Sequence, residues 1–213
     1  MNEKIYLHTI NNGYKDYYDS KKQRSVLEAI LKSDAILSRR NQGLTDESNI
    51  NFSGLDYISL SDYEKRFVCN KEKEFYNTFY AYARRGLSLA FPQESIKAIE
   101  PTILPILSNN IRDFEYMRLY GLDKTERFTD LPDEVQVKDK LTLKDLNGVL
   151  FPCDNYMHSK LFTRKEKMIK LLLEEVKIVK EILEKYNKEV NIYDVDSLLE
   201  VNENNIENIV LRK

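Results

Sequence analysis

Short runs of branched and aromatic residues, each closed by a turn-forming residue, recur along the chain. Residues 5–10 (IYLHTI) stop at Asn11-Asn12-Gly13, and residues 86–91 (GLSLAF) stop at Pro92. Runs of this composition and length predict β-strands. The same features mark four further strand candidates at residues 55–61, 134–137, 148–151 and 190–193.

Alternation within residues 55–61 separates two kinds of side chain. Tyr57, Ser59 and Ser61 share one face of the predicted strand, and the two apolar residues between them lie on the other. An aromatic ring and two hydroxyls therefore occupy the same face.

Two stretches show the spacing of amphipathic helices. Residues 22–37 repeat apolar positions at helical spacing, and residues 163–187 do so over a greater length with Lys and Glu mostly opposite. Thr163 followed by Glu166 predicts a capping box at the start of the longer helix. Both helices are expected to cover a core with one apolar side.

Weaker patterns fill three other stretches. The aromatic residues in 72–83 predict a short helix or an aromatic-lined segment, and the polar residues 44–54 predict a loop. The acidic, Asn-rich stretch after residue 193 is expected to be poorly ordered.

Clustered strands without regular crossover helices predict an α+β fold and not a doubly wound parallel sheet. Only six glycines are present, and no Gly-rich phosphate-binding loop is found. We expect residues 1–155 to form the main domain and residues 156–213 to form a C-terminal helix and tail that pack on it.

Composition narrows the classes of function. The 33 Lys and Arg residues against 35 Asp and Glu residues give a net charge of −2, so no overall positive charge favours nucleic acid or an anionic membrane. Two cysteines and two histidines, widely separated, argue against a zinc site, and no metal is expected. No apolar run approaches the roughly 20 residues of a membrane span, and no signal-peptide pattern is seen.

Three segments contain candidate functional residues: His8-Thr9, the strand with Tyr57, and Glu134. Each has an ordinary structural explanation when taken alone. A histidine at a strand end is often satisfied by backbone, a tyrosine is often part of a core, and a glutamate on a strand is usually exposed to solvent.

In this order, the three segments resemble the ADP-ribosyltransferase family, in the branch with a histidine first, a tyrosine and serine strand next and a glutamate last. The resemblance covers about residues 5–151. It is seen in Leu7-His8-Thr9, in residues 54–61 (GLDYISLS), and in residues 133–138 (DEVQVK), which are followed by the apolar residues 148–150. It implies a split mixed β-sheet with flanking helices.

The resemblance also implies the chemistry. NAD is the expected substrate, with Glu134 as the catalytic carboxylate that stabilises positive charge as the bond to nicotinamide breaks. The expected NAD-binding residues are His8, Thr9, Tyr57, Ser59, Ser61 and Arg85. Their roles are ribose hydrogen bonding, ring stacking, orientation of the glutamate and, for Arg85, contact with the pyrophosphate.

Departures from the family restrict the acceptor. Arginine-modifying members carry an acidic residue two positions before the glutamate, where this chain has Pro132. The resemblance therefore implies mono-ADP-ribose transfer to a protein or nucleic-acid acceptor other than arginine. A cytoplasmic toxin with an antitoxin partner, a phage enzyme, and an effector that enters a host cytosol and meets a host protein all fit this description.

Three alternatives stay open at this stage. One is an RNA 2′-phosphotransferase-like enzyme, which would recruit Arg39, Arg40, Arg84 and Arg85 around a phosphate. Another is a member of the same fold that binds a partner through the residue 163–187 helix and has lost turnover. A cysteine hydrolase built on Cys153 lacks a recognisable nucleophile motif.

Overall fold

The computed structural model describes residues 4–10, 17–43, 56–65, 67–70, 73–76, 83–104, 134–160 and 164–211 of the 213-residue chain. These residues form strands and helices around one large sheet, so the α+β prediction is confirmed. Of the helices in this part of the chain, none has the length and apolar character needed to cross a membrane.

The elements are numbered here in chain order. The strands are β1 (Ile5–Thr9), β2 (Ala35–Leu37), β3 (Tyr57–Asp62), β4 (Phe67–Asn70), β5 (Lys73–Tyr76), β6 (Ser88–Pro92), β7 (Thr102–Leu104), β8 (Glu134–Lys138), β9 (Lys140–Thr142), β10 (Gly148–Phe151) and β11 (Ile192–Asp194). The α-helices are α1 (Ser20–Ser33), α2 (Gln93–Lys97), α3 (Cys153–His158), α4 (Lys165–Lys185) and α5 (Ile206–Leu211), and a 3₁₀ turn spans Tyr63–Lys65.

Seven strands form the main sheet in the order β11-β10-β6-β1-β3-β8-β7. All neighbours run antiparallel except β10 and β11, which are parallel. The strands β2 and β9 form a separate two-stranded ribbon, and so do β4 and β5.

Strands β1 and β3 pair over a much shorter length than their neighbours do. β1 pairs with β6 along its whole length, but it pairs with β3 only at Tyr6–Asp62 and Leu7–Ser61. The first four residues of β3, from Tyr57 to Leu60, pair with β8 along the other edge of β3 and are not paired with β1. We call the place beyond Leu7, where β1 and β3 are no longer paired, the parting.

The two faces of the sheet have different environments. One face packs a large apolar core against α1 and α4, and its members include Leu60, Leu89, Leu27 and Leu172. The other face holds a smaller cluster, which consists of Ile5, Leu7, Tyr63, Ala83, Ala90, Leu150 and Val195. The smaller cluster leaves room for polar side chains on the same face, because it covers only part of that face.

The first helix is shorter than its pattern predicts. The carboxylate of Asp19 accepts a hydrogen bond from the backbone N–H of Lys22 and caps the start of α1. Asp34 adopts a left-handed conformation with φ 50° and ends the helix. Ala35–Leu37 then forms β2, so the prediction of helix up to residue 37 is wrong. The apolar sequence of Ala35–Leu37 is compatible with a helix or a strand, and pairing with β9 makes it a strand.

Two other expectations concern helices. Helix α4 begins at Lys165 with Arg164 at the N-cap and no side-chain capping bond, and Thr163 of the predicted capping box lies outside the described residues. Lys73–Tyr76 is a strand paired with Phe67–Asn70, not a helix, because its backbone hydrogen bonds are made between strands. Residues 77–82 and the predicted loop 44–54 lie outside the described part.

The C-terminal stretch is ordered, contrary to expectation, as far as residue 211. The strand predicted at residues 190–193 is found at Ile192–Asp194, and it extends the main sheet. Beyond it, Val195, Val201, Ile206 and Ile209 are buried. The phenol of Tyr63 donates a buried hydrogen bond to the carbonyl of Val195 at 2.7 Å. Widely spaced apolar residues thus anchor a stretch that is acidic on average.

Candidate functional site

The three strands with the sequence-predicted site residues are neighbours in the sheet. β3 lies between β1 and β8, and Ser59 pairs with Gln136 while Leu60 pairs with Val135. The same register, continued by one residue, brings Ser61 level with Glu134. Adjacent strands are about 4.8 Å apart, so the backbones of β1 and β8 are separated by roughly 10 Å. For Glu134 the description covers the backbone and not the side chain.

His8 bridges the parting. Its Nδ1 lies 3.1 Å from the carbonyl oxygen of Ser59, a residue on the first half of β3. A carbonyl can only accept, so the ring must donate from Nδ1. The neutral ring therefore presents Nε2 as a hydrogen-bond acceptor. Burial lowers the pKa of His8, and the bond to Ser59 offsets this only in part, so the ring is neutral at pH 7.

Thr9 makes a hydrogen bond on the opposite side of β1 from His8. Its Oγ1 lies 2.8 Å from the Oγ of Ser88, its pairing partner on β6, whereas His8 pairs with Leu89 of the main core. Ser88 is fully buried and Thr9 is half-buried. The hydroxyl of Thr9, a half-buried residue, therefore has a fully buried hydroxyl as its partner.

A row of polar residues crosses the face that holds the smaller apolar cluster. Leu7 and Ser61 are paired, so Thr9 and Ser59, two positions from each, point to the same side. Ser59 is paired with Gln136 and Thr9 with Ser88. We call Gln136, Ser59, Thr9 and Ser88 the polar row. Tyr57 lies two residues from Ser59 on the same face and is half-buried.

Ser61 has a structural contact at the point where the paired stretch of β1 and β3 ends. It is buried, and its hydroxyl donates to the carbonyl of Leu7 at 3.5 Å. This bond joins β3 to β1 at their last paired position. Ser61 therefore helps to fix where the parting begins.

A buried glutamine holds the carboxyl end of β1. The side chain of Gln23, on α1, donates to the carbonyl of Ile10 at 3.2 Å and accepts from the N–H of Leu87 at 2.8 Å. The N–H of Ile10 donates to the carbonyl of Leu87 at 2.8 Å. Gly86 fits against this arrangement because it has no Cβ. The turn before β6 is thereby fixed beside His8 and Thr9.

The two arginines in that turn differ in their contacts. Arg84 forms ion pairs with Asp154 at 3.2 Å and Asp196 at 2.9 Å. Asp154 also contacts His158 at 3.1 Å. Arg85 is half-buried one residue before Gly86. Arg84 is therefore committed to two carboxylates, and Arg85 lies at the end of β1.

Two other features lie apart from the predicted site. Cys153 is fully buried at the start of α3, which is typical of a structural cysteine and not of a reactive one. A cavity of about 320 Å³ opens between the turn after α2 and the strands β8 and β9. Its lining includes Ile96, Ile99 and Leu141, and Gln136 of the polar row, but none of the sequence-predicted site residues.

Comparisons with known proteins give no family: no family model, curated protein or solved structure matches the chain. Within the described residues, no three His, Cys, Asp or Glu side chains are grouped to hold a metal ion.

Sequence reasoning missed Ser88, Gln136 and Gln23. All three are polar residues that are buried almost completely. Ser88 opens a strand that continues with apolar residues, Gln136 lies between the two valines of β8, and Gln23 lies on the inner side of α1. Such interruptions of an apolar pattern were the available signal, since buried polar groups need specific partners.

Proposed function

We propose that this protein is a mono-ADP-ribosyltransferase that uses NAD. The adjacency of β1, β3 and β8 carries the proposal, because it makes the strands of His8, Tyr57 and Glu134 neighbours at the parting, with Tyr57 on the polar-row face and His8 on the opposite face. Strands so distant in the chain need not have been neighbours. The parting between β1 and β3 supports the split sheet that the resemblance implies.

The hydrogen-bonding groups at the parting fit the sugar of a dinucleotide. The Nε2 of His8 accepts from a ribose hydroxyl, and the neutral state of the ring keeps that acceptor available at pH 7. Tyr57 offers a half-buried ring for stacking on the nicotinamide. Arg85 has a guanidinium that matches phosphate oxygens, and it lies in the turn before β6, where Gly86 packs against Ile10 just beyond the end of β1.

Glu134 supplies the negative charge in this proposal. Cleavage of the bond to nicotinamide develops positive charge on the ribose, and a fixed carboxylate stabilises that charge. The carboxylate also polarises the hydroxyl or the incoming nucleophile. Gln136, two residues along the same strand, is buried and helps to hold that strand against Ser59.

The acceptor is a protein or a nucleic acid, and the proposal includes a role as a toxin or effector. The contacts of the arginines weigh against the RNA 2′-phosphotransferase alternative. Arg40 forms an ion pair with Asp56, and Arg84 forms two ion pairs. Two of the four arginines proposed for an RNA phosphate are thus already bound to carboxylates.

The test is release of nicotinamide from NAD by the full chain, with and without a cell lysate as the source of acceptor. We expect Glu134→Gln to lower the rate by about a hundredfold or more, the scale for loss of a positioned charge-stabilising group, with NAD binding nearly unchanged. Glu94→Gln, at a glutamate in the first turn of α2, is the matched control and should keep the wild-type rate.

Labelled NAD and mass spectrometry of the lysate would identify the modified atom. Equal rates for wild type and Glu134→Gln would contradict the proposal. An inactive wild type that binds a protein tightly would favour the partner-binding alternative instead.

A further inference from the structure

We propose that Ser88 is a positioning residue that makes the Thr9 hydroxyl a hydrogen-bond donor to an acceptor oxygen of NAD. This inference rests on the proposed function and adds a residue that the sequence pattern does not assign. The observation behind it is the 2.8 Å contact between a fully buried hydroxyl and a half-buried one.

The burial of Ser88 sets the direction of this hydrogen bond. A serine hydroxyl has one proton to donate and can accept as well. Thr9 is the side-chain hydrogen-bond partner that the described structure gives to Ser88. Were Thr9 the donor, the proton of Ser88 would be left unsatisfied in the protein interior, which is costly. Ser88 therefore donates to Thr9.

As a consequence, the hydroxyl proton of Thr9 is not used in the bond to Ser88. Thr9 accepts from Ser88 in this arrangement, so its own O–H points away from that bond and can donate to another acceptor. The adjacent residue, His8, presents Nε2 as an acceptor. His8 points to the opposite face of β1 from Thr9, so Thr9 supplies the directed donor on the polar-row face, and an acceptor oxygen of NAD is its proposed partner.

The fixed direction matters because an unconstrained threonine hydroxyl rotates among several partners, including water. A ligand that binds such a group must order it first, and this ordering reduces affinity. Ser88 removes part of this cost without touching the ligand, because it is fully buried and lies beside Thr9 as its cross-strand partner on β6.

The experiment combines calorimetric titration of NAD with urea unfolding for the full chain. The variants are Thr9→Val, Ser88→Ala and the double variant, with Ser38→Ala as the matched control. Ser38 is also fully buried, but its hydroxyl accepts from the N–H of Asn41, outside the polar row. Thr9→Val should weaken NAD binding by about tenfold, and Ser88→Ala by about threefold.

Stability should show a different pattern from binding. Thr9→Val leaves the Ser88 hydroxyl unsatisfied and should lower the urea midpoint, and the added Ser88→Ala change should recover most of that loss. NAD binding by the double variant should stay as weak as that of Thr9→Val. If the role of Ser88 were purely structural, the added Ser88→Ala change would restore stability and NAD affinity together.

Two results would overturn the inference: wild-type affinity in Thr9→Val, or equal affinity in Ser88→Ala and Ser38→Ala. A wild-type protein that binds no NAD would overturn both the proposed function and the donation to NAD. In that case the urea series would still test the coupling of the two hydroxyls. Recovery of the urea midpoint in the double variant would support the coupling, and no recovery would refute it.

Discussion

Gly86→Ala tests the packing at the end of β1, because a single methyl group has no room there. A Cβ at this position would lie 2.5 Å from the carbonyl oxygen of Ile10, and 3.1 and 3.2 Å from the two amide atoms of Gln23. Ordinary contact begins near 3.4 Å. The carbonyl would therefore have to move by about 0.9 Å, the difference between 3.4 and 2.5 Å.

The loss of stability in Gly86→Ala is the sum of the overpacking and the hydrogen bonds that this movement weakens. Overpacking of a well-packed site costs about 1–3 kcal/mol. The displaced carbonyl of Ile10 would also weaken its bond from Gln23 and the adjacent bond to Leu87, at about 0.5–1.5 kcal/mol. The unfolded chain has less conformational entropy with Ala than with Gly, and this offsets about 0.4–1 kcal/mol of the lost stability. We expect a net loss of about 1.5–3.5 kcal/mol in the free energy of unfolding.

Urea unfolding followed by circular dichroism measures this loss, with the slope against urea expected to stay constant. Gly43→Ala is an informative control: its φ is +76° and no atom lies within 4 Å, so its cost of about 1 kcal/mol is conformational and not steric. A Gly86→Ala protein within 0.5 kcal/mol of wild type, on the order of the scatter for surface substitutions, would refute the argument.

Three further predictions concern titration and burial. NAD affinity should persist below pH 6.5 and fall only at lower pH, because the lowered pKa of His8 keeps Nε2 unprotonated; a midpoint above pH 6.5 in a titration series would contradict this. Burial raises the pKa of Glu175 above 4.5, so its charge opposes folding as pH rises through that range. Urea unfolding at pH 4 and pH 7 should therefore show that Glu175→Gln raises the free energy of unfolding, relative to wild type, more at pH 7 than at pH 4. An equal effect of the substitution at the two pH values would count against this prediction. Tyr63→Phe should cost about 1–2 kcal/mol by removing the buried hydrogen bond that the phenol donates to the carbonyl of Val195; a thermal midpoint equal to wild type would exclude that role.

Local patterns in the sequence were sufficient for six of the seven strands in the main sheet, but not for β7 or for β2, β4 and β5. The alternation in residues 55–61 correctly separates Tyr57 and Ser59 from the buried Ile58 and Leu60. The apolar run at Gly148–Phe151 is reproduced with its bounds unchanged. Both patterns report burial on one or two faces, which is a local property of a strand.

The order of the strands was beyond local patterns. His8 meets Ser59 from 51 positions away, and Thr9 meets Ser88 from 79 positions away. Nothing in a strand's own residues states which strand it will pair with. The polar row is a product of this order, so Ser88 and Gln136 look like isolated exceptions until the sheet is assembled.

The parallel pair at the end of the sheet has a consequence for folding kinetics. Residues 192–194 pair with β10, and Tyr63 reaches Val195 across 132 positions of chain. Closing such long loops is slow compared with forming helices. During synthesis, the backbone of Gly148–Phe151 stays open on one side until residue 194 has been made, and an open strand of this apolar composition readily pairs with another chain. Chaperone dependence and loss to aggregation should therefore concentrate in that interval.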